Sequence, residues 1–126
     1  RELAANAAAV TDEKIHAILT YINAHLTDPL SIDHLAAHAY VSRSHFMHRF
    51  KAVTGCSVRQ YIVGKRLFLS RADLAASPAL SIGEIAQRAG FSDYLSFFRA
   101  FKAKYHITPQ AWREQYAAPS HPPTES

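Results

Sequence analysis

The chain has 126 residues, 48% of them hydrophobic and 19% charged, with a formal net charge of +4 at pH 7. This length suits one compact domain or two very small ones, and the hydrophobic content excludes a disordered chain. The single cysteine, Cys56, excludes an internal disulfide and any zinc site that needs two or more thiolates. No apolar run approaches the roughly 20 residues that span a bilayer. We therefore expect no membrane association and a reducing, cytoplasmic setting.

Abundant alanine, with only 4 glycines and 6 prolines, favours an all-α fold. Residues 1–10 are Ala-rich and have neither a cap nor an apolar stripe, which predicts a linker or the end of an upstream segment. The first helix is expected to begin at Thr11, where isoleucines and leucines start to recur at helical spacing, and Asp28-Pro29 ends that pattern. Because the chain begins with Arg1, we expect it to be part of a longer polypeptide.

From residue 31 onward, a serine or threonine precedes each apolar-periodic run, where its hydroxyl can accept a hydrogen bond from a free backbone N–H. These predicted N-caps are Ser31, Ser42, Ser57, Ser81, Ser92 and Thr108. The helices predicted to follow them are Ile32–His38, Arg43–Thr54, Val58–Ala76, Ile82–Ala89, Asp93–Tyr105 and Pro109–Tyr116. Seven helices and no strand result, followed by a Pro-rich segment at 117–126 that is expected to be disordered.

The most informative feature of the sequence is an internal repeat. The segment 31–39 resembles the segment 81–89 at an offset of 50. Farther along, Phe46, Phe50, Lys51 and Ala52 match Phe97, Phe101, Lys102 and Ala103 at an offset of 51. Each copy has the pattern of a short helix, a tight turn and a longer helix. The chain is therefore predicted to contain two helix-turn-helix units, at 11–56 and 78–116, joined by a long linker helix at 57–77.

The outward faces of the two longer helices carry groups that suit a DNA duplex. With the paired phenylalanines facing the core, the side chains that point about 120 to 180° away are Ser44, His48 and Lys51 in the first copy and Leu95, Arg99 and Lys102 in the second. Histidine and arginine donate to guanine acceptors, serine bonds to any base, apolar groups meet thymine methyls and lysine meets phosphate. This pattern predicts two DNA-reading faces.

The length of the predicted linker helix supports that interpretation. Its 19 residues, Val58–Ala76, would span about 28 Å, close to the roughly 34 Å between successive major-groove faces on one side of B-DNA. One chain could then occupy two adjacent grooves. If its two recognition helices lay closer together than one helical turn, the DNA would have to bend toward the protein.

These motifs resemble the DNA-binding domain of the AraC/XylS family of bacterial transcription regulators. The residues that carry the resemblance are Ser81-Ile82-Gly83-Glu84-Ile85-Ala86, Gly90-Phe91, Phe97, Arg99, Phe101-Lys102 and Thr108-Pro109 with Arg113. The resemblance implies binding to double-stranded promoter DNA, with two recognition helices in successive major grooves and recruitment of RNA polymerase. It also implies an N-terminal ligand-sensing or dimerisation domain outside this chain, and neither enzymatic activity nor a cofactor.

By position, the resemblance implies base contacts from Ser44, Met47, His48, Tyr94, Leu95, Ser96 and Arg99. It implies phosphate contacts from Ser31, Ser42, Arg43, Lys51, Ser81, Ser92 and Lys102. Several positions depart from the family pattern. Tyr40 and His106 stand where glycines are expected, which predicts a reshaped turn and some strain, and Leu95 replaces a small polar residue. His48 replaces an arginine and has Arg49 beside it, so either residue could read bases.

Two other classes of protein remain open at this point: a metal-dependent enzyme or sensor, and a helical protein-interaction module. His34 and His38, and likewise His45 and His48, have spacings that can chelate a metal, but no HExxH motif or second thiol accompanies them. Cys56 is expected to be a packing residue unless a base activates it. A helical protein-interaction module would instead use the apolar residues Phe68, Tyr94 and Phe98. Only a DNA binder should lose affinity steeply with salt.

Overall fold

The computed structural model describes the backbone of residues 2–117 and the side chains of residues 12–117. This part of the chain contains seven helices and no strand: α1 Glu2–Ala24, α2 Ile32–His38, α3 Arg43–Thr54, α4 Val58–Ala76, α5 Ile82–Arg88, α6 Tyr94–Tyr105 and α7 Pro109–Tyr116. The all-α prediction is confirmed. The chain divides into two compact units within α4, unit 1 ending at Lys65 and unit 2 beginning at Arg66. No described helix is both long enough and apolar enough to cross a membrane.

The helix bounds agree closely with the predicted ones, with one large exception. Helix α1 begins at Glu2, so the predicted start at Thr11 is wrong and residues 2–10 are helical. These nine residues hold five alanines and no glycine or proline. Alanine has the highest helix propensity, and extending an existing helix costs far less than nucleating one. Of the predicted disordered tail, residues 118–126 lie outside the described part.

Unit 1 packs α1, α2, α3 and the first part of α4 around an apolar core. The buried residues of this core are Ile15, Ile18, Ile22, Leu35, Ala36, Ala39, Phe46, Phe50, Val58 and Ile62. The rings of Phe46 and Phe50 meet edge to face, with centroids 5.8 Å apart, and Phe50 meets Tyr61 at 5.6 Å. The small side chain of Ala36 lets α3 approach α2 closely, as the repeat pattern predicts.

Unit 2 uses the same plan with α5, α6 and α7. Its buried apolar residues include Leu74, Ile85, Ala86, Ala89, Phe91, Phe97, Phe101, Pro109 and Trp112. The Phe97 and Phe101 rings lie 5.6 Å apart, and Phe101 meets Trp112 edge to face at 6.3 Å. The matched phenylalanines of α3 and α6 are all fully buried. The opposite faces of α3 and α6 are therefore the outward ones, as the sequence predicts.

The two helix-turn-helix turns are closed by the same hydrogen bond and both have a positive φ, although one contains a tyrosine and the other a glycine. Tyr40 has φ 59° and Gly90 has φ 101°. The N–H groups of the next residues, Val41 and Phe91, donate to the mid-helix alanine carbonyls at 3.2 and 3.0 Å. The φ of Tyr40 is clearly smaller than that of Gly90, so the turn of unit 1 is slightly reshaped although the same hydrogen bond closes it. A non-glycine residue there costs about 1 kcal/mol of backbone strain. The Tyr40 ring is 83% exposed, with the Lys14 ammonium 5.0 Å from its centroid.

The one-residue slip between the two copies lies at Ser92. The N-cap of α3 is Ser42, and the N-cap of α6 is Asp93, not the predicted Ser92. An Asp93 carboxylate oxygen accepts the backbone N–H of Ser96 at 2.7 Å. Aspartate caps a helix as well as serine does, and its charge also suits a helix N-terminus. Ser92 is therefore an inserted turn residue, exposed beside the start of α6.

The other predicted N-caps are confirmed. The hydroxyls of Ser31, Ser42, Ser57, Ser81 and Thr108 accept the N–H three residues onward at 3.0 to 3.1 Å. Two of these caps are reciprocal, because the side chains of Gln60 and Glu84 accept the N–H groups of Ser57 and Ser81 at 2.9 and 2.8 Å. Such capping boxes satisfy two free donors at once and fix the starts of α4 and α5.

Helices α3 and α6 end in the same way. Gly55 closes α3 at φ 87°, and its N–H donates to the Lys51 carbonyl at 2.9 Å. His106 closes α6 at φ 66°, and its N–H donates to the Lys102 carbonyl at 2.8 Å. The histidine thus adopts the left-handed conformation that glycine favours, as the sequence comparison predicts, and it is among the residues that tolerate this conformation better.

Two glycines offer substitutions with opposite expected effects on stability. At Gly55, nothing lies within 4 Å of an added Cβ, so Gly55→Ala adds backbone strain without a clash and should cost about 1 kcal/mol. At Gly83, in α5, the nearest atom is Ser81 Oγ at 3.9 Å, so Gly83→Ala should stabilise by a few tenths to about 1 kcal/mol. Urea unfolding monitored by circular dichroism measures both effects. A change of the same sign in the two variants would contradict this assignment.

Candidate nucleic-acid interface

The outward face of α3 is a groove-lining surface in unit 1. Ser44, Met47, His48 and Lys51 are all exposed. They line an open groove of about 770 Å³ that is bounded on its far side by the start of α4, including Arg59. None of the described residues that line this groove is acidic. The groove therefore combines hydrogen-bonding and apolar groups with two cations, the set of groups that contacts with base edges and phosphates require.

The structure distinguishes the two neighbouring candidates His48 and Arg49. The Arg49 guanidinium forms an ion pair with the Asp12 carboxylate of α1, and its side chain is only 31% exposed. His48 is exposed on the groove side of α3. Because α1 already holds Arg49, His48 is the residue free to reach a ligand from this position.

The predicted phosphate-contacting residues of unit 1 differ in their present partners. Arg43 forms an ion pair with Asp33 at 3.0 Å, and both side chains are more than half exposed. Such a pair contributes little to stability, so a phosphate could replace the aspartate at little cost. The hydroxyls of Ser31 and Ser42 are used as helix caps. Lys51 has no hydrogen bond or ion pair with any described residue.

The outward face of α6 brings the predicted residues of unit 2 together. Tyr94 and Leu95 are 47% and 52% exposed, and Ser96, Arg99 and Lys102 are exposed beside them. These five side chains lie within nine residues of one helix, opposite its buried phenylalanines. The chain therefore presents a second face with a guanidinium, an ammonium and an exposed leucine.

A carboxylate holds the start of this second face. Besides accepting the Ser96 N–H, Asp93 accepts the Ser96 hydroxyl at 3.2 Å. The backbone and hydroxyl hydrogen bonds from Ser96, helped by the positive charge of Arg99, hold the pKa of Asp93 below its usual value. Ser96 therefore offers its hydroxyl oxygen as an acceptor while its proton points to Asp93. Of the other predicted phosphate contacts, Ser81 is occupied as a cap and Ser92 is exposed in the turn.

The lowered pKa of Asp93 predicts a pH dependence of stability. The carboxylate's contribution is complete above the ordinary pKa of aspartate and is lost as pH falls through the lowered folded-state value. Asp93→Asn keeps a capping side chain but removes this titration. The thermal midpoint of the variant should therefore fall less than that of the wild type between about pH 5 and about pH 2. Equal pH dependence in the two proteins would contradict the role of the charge.

Sequence reasoning missed Arg59. This residue is exposed at the start of α4 and lines the groove of unit 1. Within the described chain, Arg59 and Arg99 are the exposed arginines that make no hydrogen bond or salt bridge, whereas Arg43 and Arg88 are paired with aspartates. The available signal was its place two residues after the repeated cap Ser57, but only the folded groove brings it beside α3.

Of the two histidine pairs whose spacing suggested a metal, His34 and His38 pack against an aromatic ring of α1. The Tyr21 ring stacks on His25 at 4.1 Å between centroids and lies 4.6 Å from His38. Its hydroxyl is 3.3 Å from His34 Nε2. Among the described side chains, no group of three or more His, Cys, Asp or Glu residues could hold a metal ion. The histidines of α2 therefore pack with Tyr21 and His25 from α1.

The apolar residues considered for protein interaction have neighbours within their own unit. Phe98 is half-buried, and its ring lies 5.9 Å from that of Tyr94. Phe68 is 63% exposed, and the Arg71 guanidinium lies 5.0 Å from its ring centroid. Arg71 also approaches the rings of Tyr105 and Trp112, at 5.5 and 5.3 Å. Phe68 thus packs against the Arg71 guanidinium, which also lies close to the rings of Tyr105 and Trp112.

Cys56 is half-buried in the turn between α3 and α4. Its polar side-chain neighbour is the Thr54 hydroxyl, 3.7 Å from the sulfur. A threonine hydroxyl does not activate a thiol as a nearby histidine would. The surroundings of Cys56 therefore favour packing over nucleophilic chemistry.

Two helix-turn-helix units with exposed cationic recognition helices define a class of DNA-binding proteins. A family model described as a helix-turn-helix domain matches residues 35–115. The regulatory protein PocR of Salmonella typhimurium is 36% identical over 113 residues, which cover 90% of this chain and 37% of PocR. The chain thus spans little more than a third of that relative.

Solved structures show the same architecture. The DNA-binding domain of AdpA, a global transcriptional factor in complex with a target DNA, is 27% identical with a TM-score of 0.76, covering 81% of this chain and 91% of that one. An AraC-type regulator from Chromobacterium violaceum is 29% identical with a TM-score of 0.74, covering 89% and 99%. The chain belongs to the AraC/XylS family, whose helix-turn-helix DNA-binding domain it forms. This is a family of transcription regulators, not of enzymes.

Proposed function

We propose that this chain binds a specific double-stranded promoter sequence through α3 and α6 and thereby controls transcription initiation. The observation that carries the proposal is the repeated outward face. In each unit, a helix with two fully buried phenylalanines presents base-capable side chains and a lysine, Lys51 or Lys102, on its opposite side. Because the same kind of face occurs twice, contact with two major grooves explains it better than mere exposure to solvent does.

The base-contacting roles follow from the chemistry of each side chain. Arg99 can donate two hydrogen bonds to the O6 and N7 atoms of guanine, and His48 can donate one. Met47 and Leu95 offer apolar contact with thymine methyl groups. Ser44, Tyr94 and Ser96 provide hydroxyls that bond to base edges. Sequence preference in each half-site is therefore expected from one nitrogen donor, one apolar residue and flanking hydroxyls.

The phosphate contacts set the position of each recognition helix. Lys51 and Lys102 are in matching places on α3 and α6, and Arg43 adds a second cation at the start of α3. Near the exposed serines Ser31, Ser42, Ser81 and Ser92, the free N–H groups at the helix starts can donate to phosphate oxygens. These contacts carry no base preference, so they contribute affinity on every sequence.

The length of α4 supports occupation of two successive major grooves. Its 19 residues correspond to about 28 Å, against roughly 34 Å for one turn of B-DNA. If the two recognition helices lay closer together than one helical turn, the DNA would bend toward the protein, at a cost of a few kcal/mol that further contacts offset. A circular-permutation gel assay that showed straight DNA in the complex would remove the bend from the proposal.

The wider protein is expected to act in the cytoplasm with two further components. The chain spans 37% of PocR, which leaves room in such a protein for an N-terminal domain that senses a ligand or mediates dimerisation. RNA polymerase is the proposed partner of the DNA-bound form, because a regulator of initiation must alter its recruitment.

Selection of bound duplexes from a random-sequence pool tests the proposed function. The expected result is an enriched motif with two half-sites about 10 base pairs apart, one helical turn. Affinity should also fall steeply as the salt concentration rises. A pool that remains random after selection would exclude sequence-specific binding, and salt-independent retention would favour a protein-interaction module instead.

A further inference from the structure

We propose that Lys51 and Arg59 form a binding site for a DNA backbone phosphate in unit 1, and that unit 2 has no equivalent site. The proposal rests on the proposed function, because it assigns a ligand to the edge of the same recognition face. Arg59 is the residue that makes unit 1 different. The α3 side of the groove carries the Lys51 ammonium, and Arg59 adds a guanidinium from α4.

The groove places both cations beside the base-reading residues. Met47, His48 and Lys51 line it from α3, and Arg59 lines it from α4. A duplex whose base edges met His48 would bring its adjoining phosphates toward the sides of the same helix. The start of α4 is held in place by its reciprocal cap and by Val58, which is 2% exposed in the core. The Arg59 backbone is therefore fixed before any ligand binds.

The charges of the groove favour an anion. Neither Lys51 nor Arg59 makes a hydrogen bond or ion pair with another residue in the described part of the chain. By contrast, Arg43 and Arg49 of the same unit are paired with aspartates. A guanidinium offers a planar fork of donors that matches two phosphate oxygens, and an adjacent ammonium adds a point charge. No carboxylate among the described residues has to be displaced before a phosphate binds here.

The repeat shows that this feature is specific to one unit. At an offset of 51, Ser57 corresponds to Thr108 and Arg59 corresponds to Gln110. The Gln110 amide donates to the Glu114 carboxylate at 3.1 Å. At this position unit 2 therefore has the neutral Gln110, hydrogen-bonded to the acidic Glu114, whereas unit 1 has Arg59, which is unpaired among the described residues. We infer that unit 1 contributes more of the salt-dependent affinity, while Arg99 gives unit 2 its base preference.

Salt titrations of DNA binding test the site. The probe is a fluorescein-labelled random-sequence duplex of about 24 base pairs, long enough for two helical turns. Fluorescence anisotropy gives the binding constant between about 50 and about 200 mM KCl. Arg59→Gln should make the negative slope of log K against log [KCl] shallower by about 0.9, the value for one phosphate contact on B-DNA. It should also weaken binding about tenfold at the middle of this range.

Two further variants make the result specific. Arg59→Lys keeps the charge and should restore most of the slope. Lys65→Gln removes one positive charge from the same helix, about 120° around its axis from Arg59, and should leave the slope nearly unchanged. An unchanged slope in Arg59→Gln, or an equal loss in Lys65→Gln, would overturn the phosphate site. If the wild-type chain itself showed no salt-dependent binding, the proposed function would fail instead. Circular dichroism confirms that each variant is folded.

Discussion

Replacing Arg99 with alanine is expected to weaken binding to the selected DNA sequence by about 1 to 3 kcal/mol and to relax base preference at one position. Arg99 is exposed on α6, with no hydrogen bond or salt bridge to the described residues. Its removal therefore breaks no hydrogen bond or salt bridge within the described residues, and the main loss should appear in DNA binding. Binding constants on the selected site and on single-base variants of it, measured by fluorescence anisotropy, give both quantities.

Lys102→Ala is the matched control for Arg99→Ala. Lys102 lies three residues after Arg99 on the same face of α6, and its replacement by alanine likewise removes one positive charge. As a phosphate contact, it should weaken all sequences by a similar factor and reduce the salt slope by about 0.9. If Arg99→Ala also weakened all sequences equally, Arg99 would be a second phosphate contact and the base-reading assignment would be wrong.

Most helix bounds could be predicted because they are set by short-range chemistry. A hydroxyl three residues before a free N–H, and glycines where the chain must turn left-handed, act locally and leave a mark in the sequence. The buried directions of α3 and α6 were predictable for the same reason, since the phenylalanines repeat at the period of a helix. The internal repeat supported both the helix bounds and the buried directions, because the same pattern occurs independently in each copy.

What the sequence did not reveal depends on contacts between distant residues or on competition between nearly equal local choices. Asp12 holds Arg49 from 37 residues away, and no local pattern separates Arg49 from His48 as the free residue. Arg59 enters the groove of α3 only because the turn after Gly55 brings α4 beside it. At Ser92 and Asp93, two good capping residues stand side by side, so spacing alone could not choose between them.

The internal contacts of Arg113 explain why this residue appears among the motifs of the family. Its side chain reaches from α7 to the end of α4 and the segment that follows. Nε donates to the Leu74 carbonyl at 3.3 Å, and Nη2 donates to the carbonyls of Ser77 and Leu80 at 3.0 and 2.8 Å. The last carbonyls of a helix have no partner within it. One guanidinium thus satisfies a helix end and the connection that leads to the Ser81 cap of α5.

Arg113→Ala is therefore expected to destabilise unit 2 by about 2 to 4 kcal/mol, since it removes a charged donor from three carbonyls at once. Urea unfolding followed by circular dichroism measures the loss. Arg113→Lys should recover little, because one ammonium cannot reproduce the spread of the guanidinium fork. Gln110→Ala, on the same helix but exposed, should change stability by no more than about 0.5 kcal/mol. A lysine variant as stable as the wild type would show that charge, rather than the fork of donors, holds this connection.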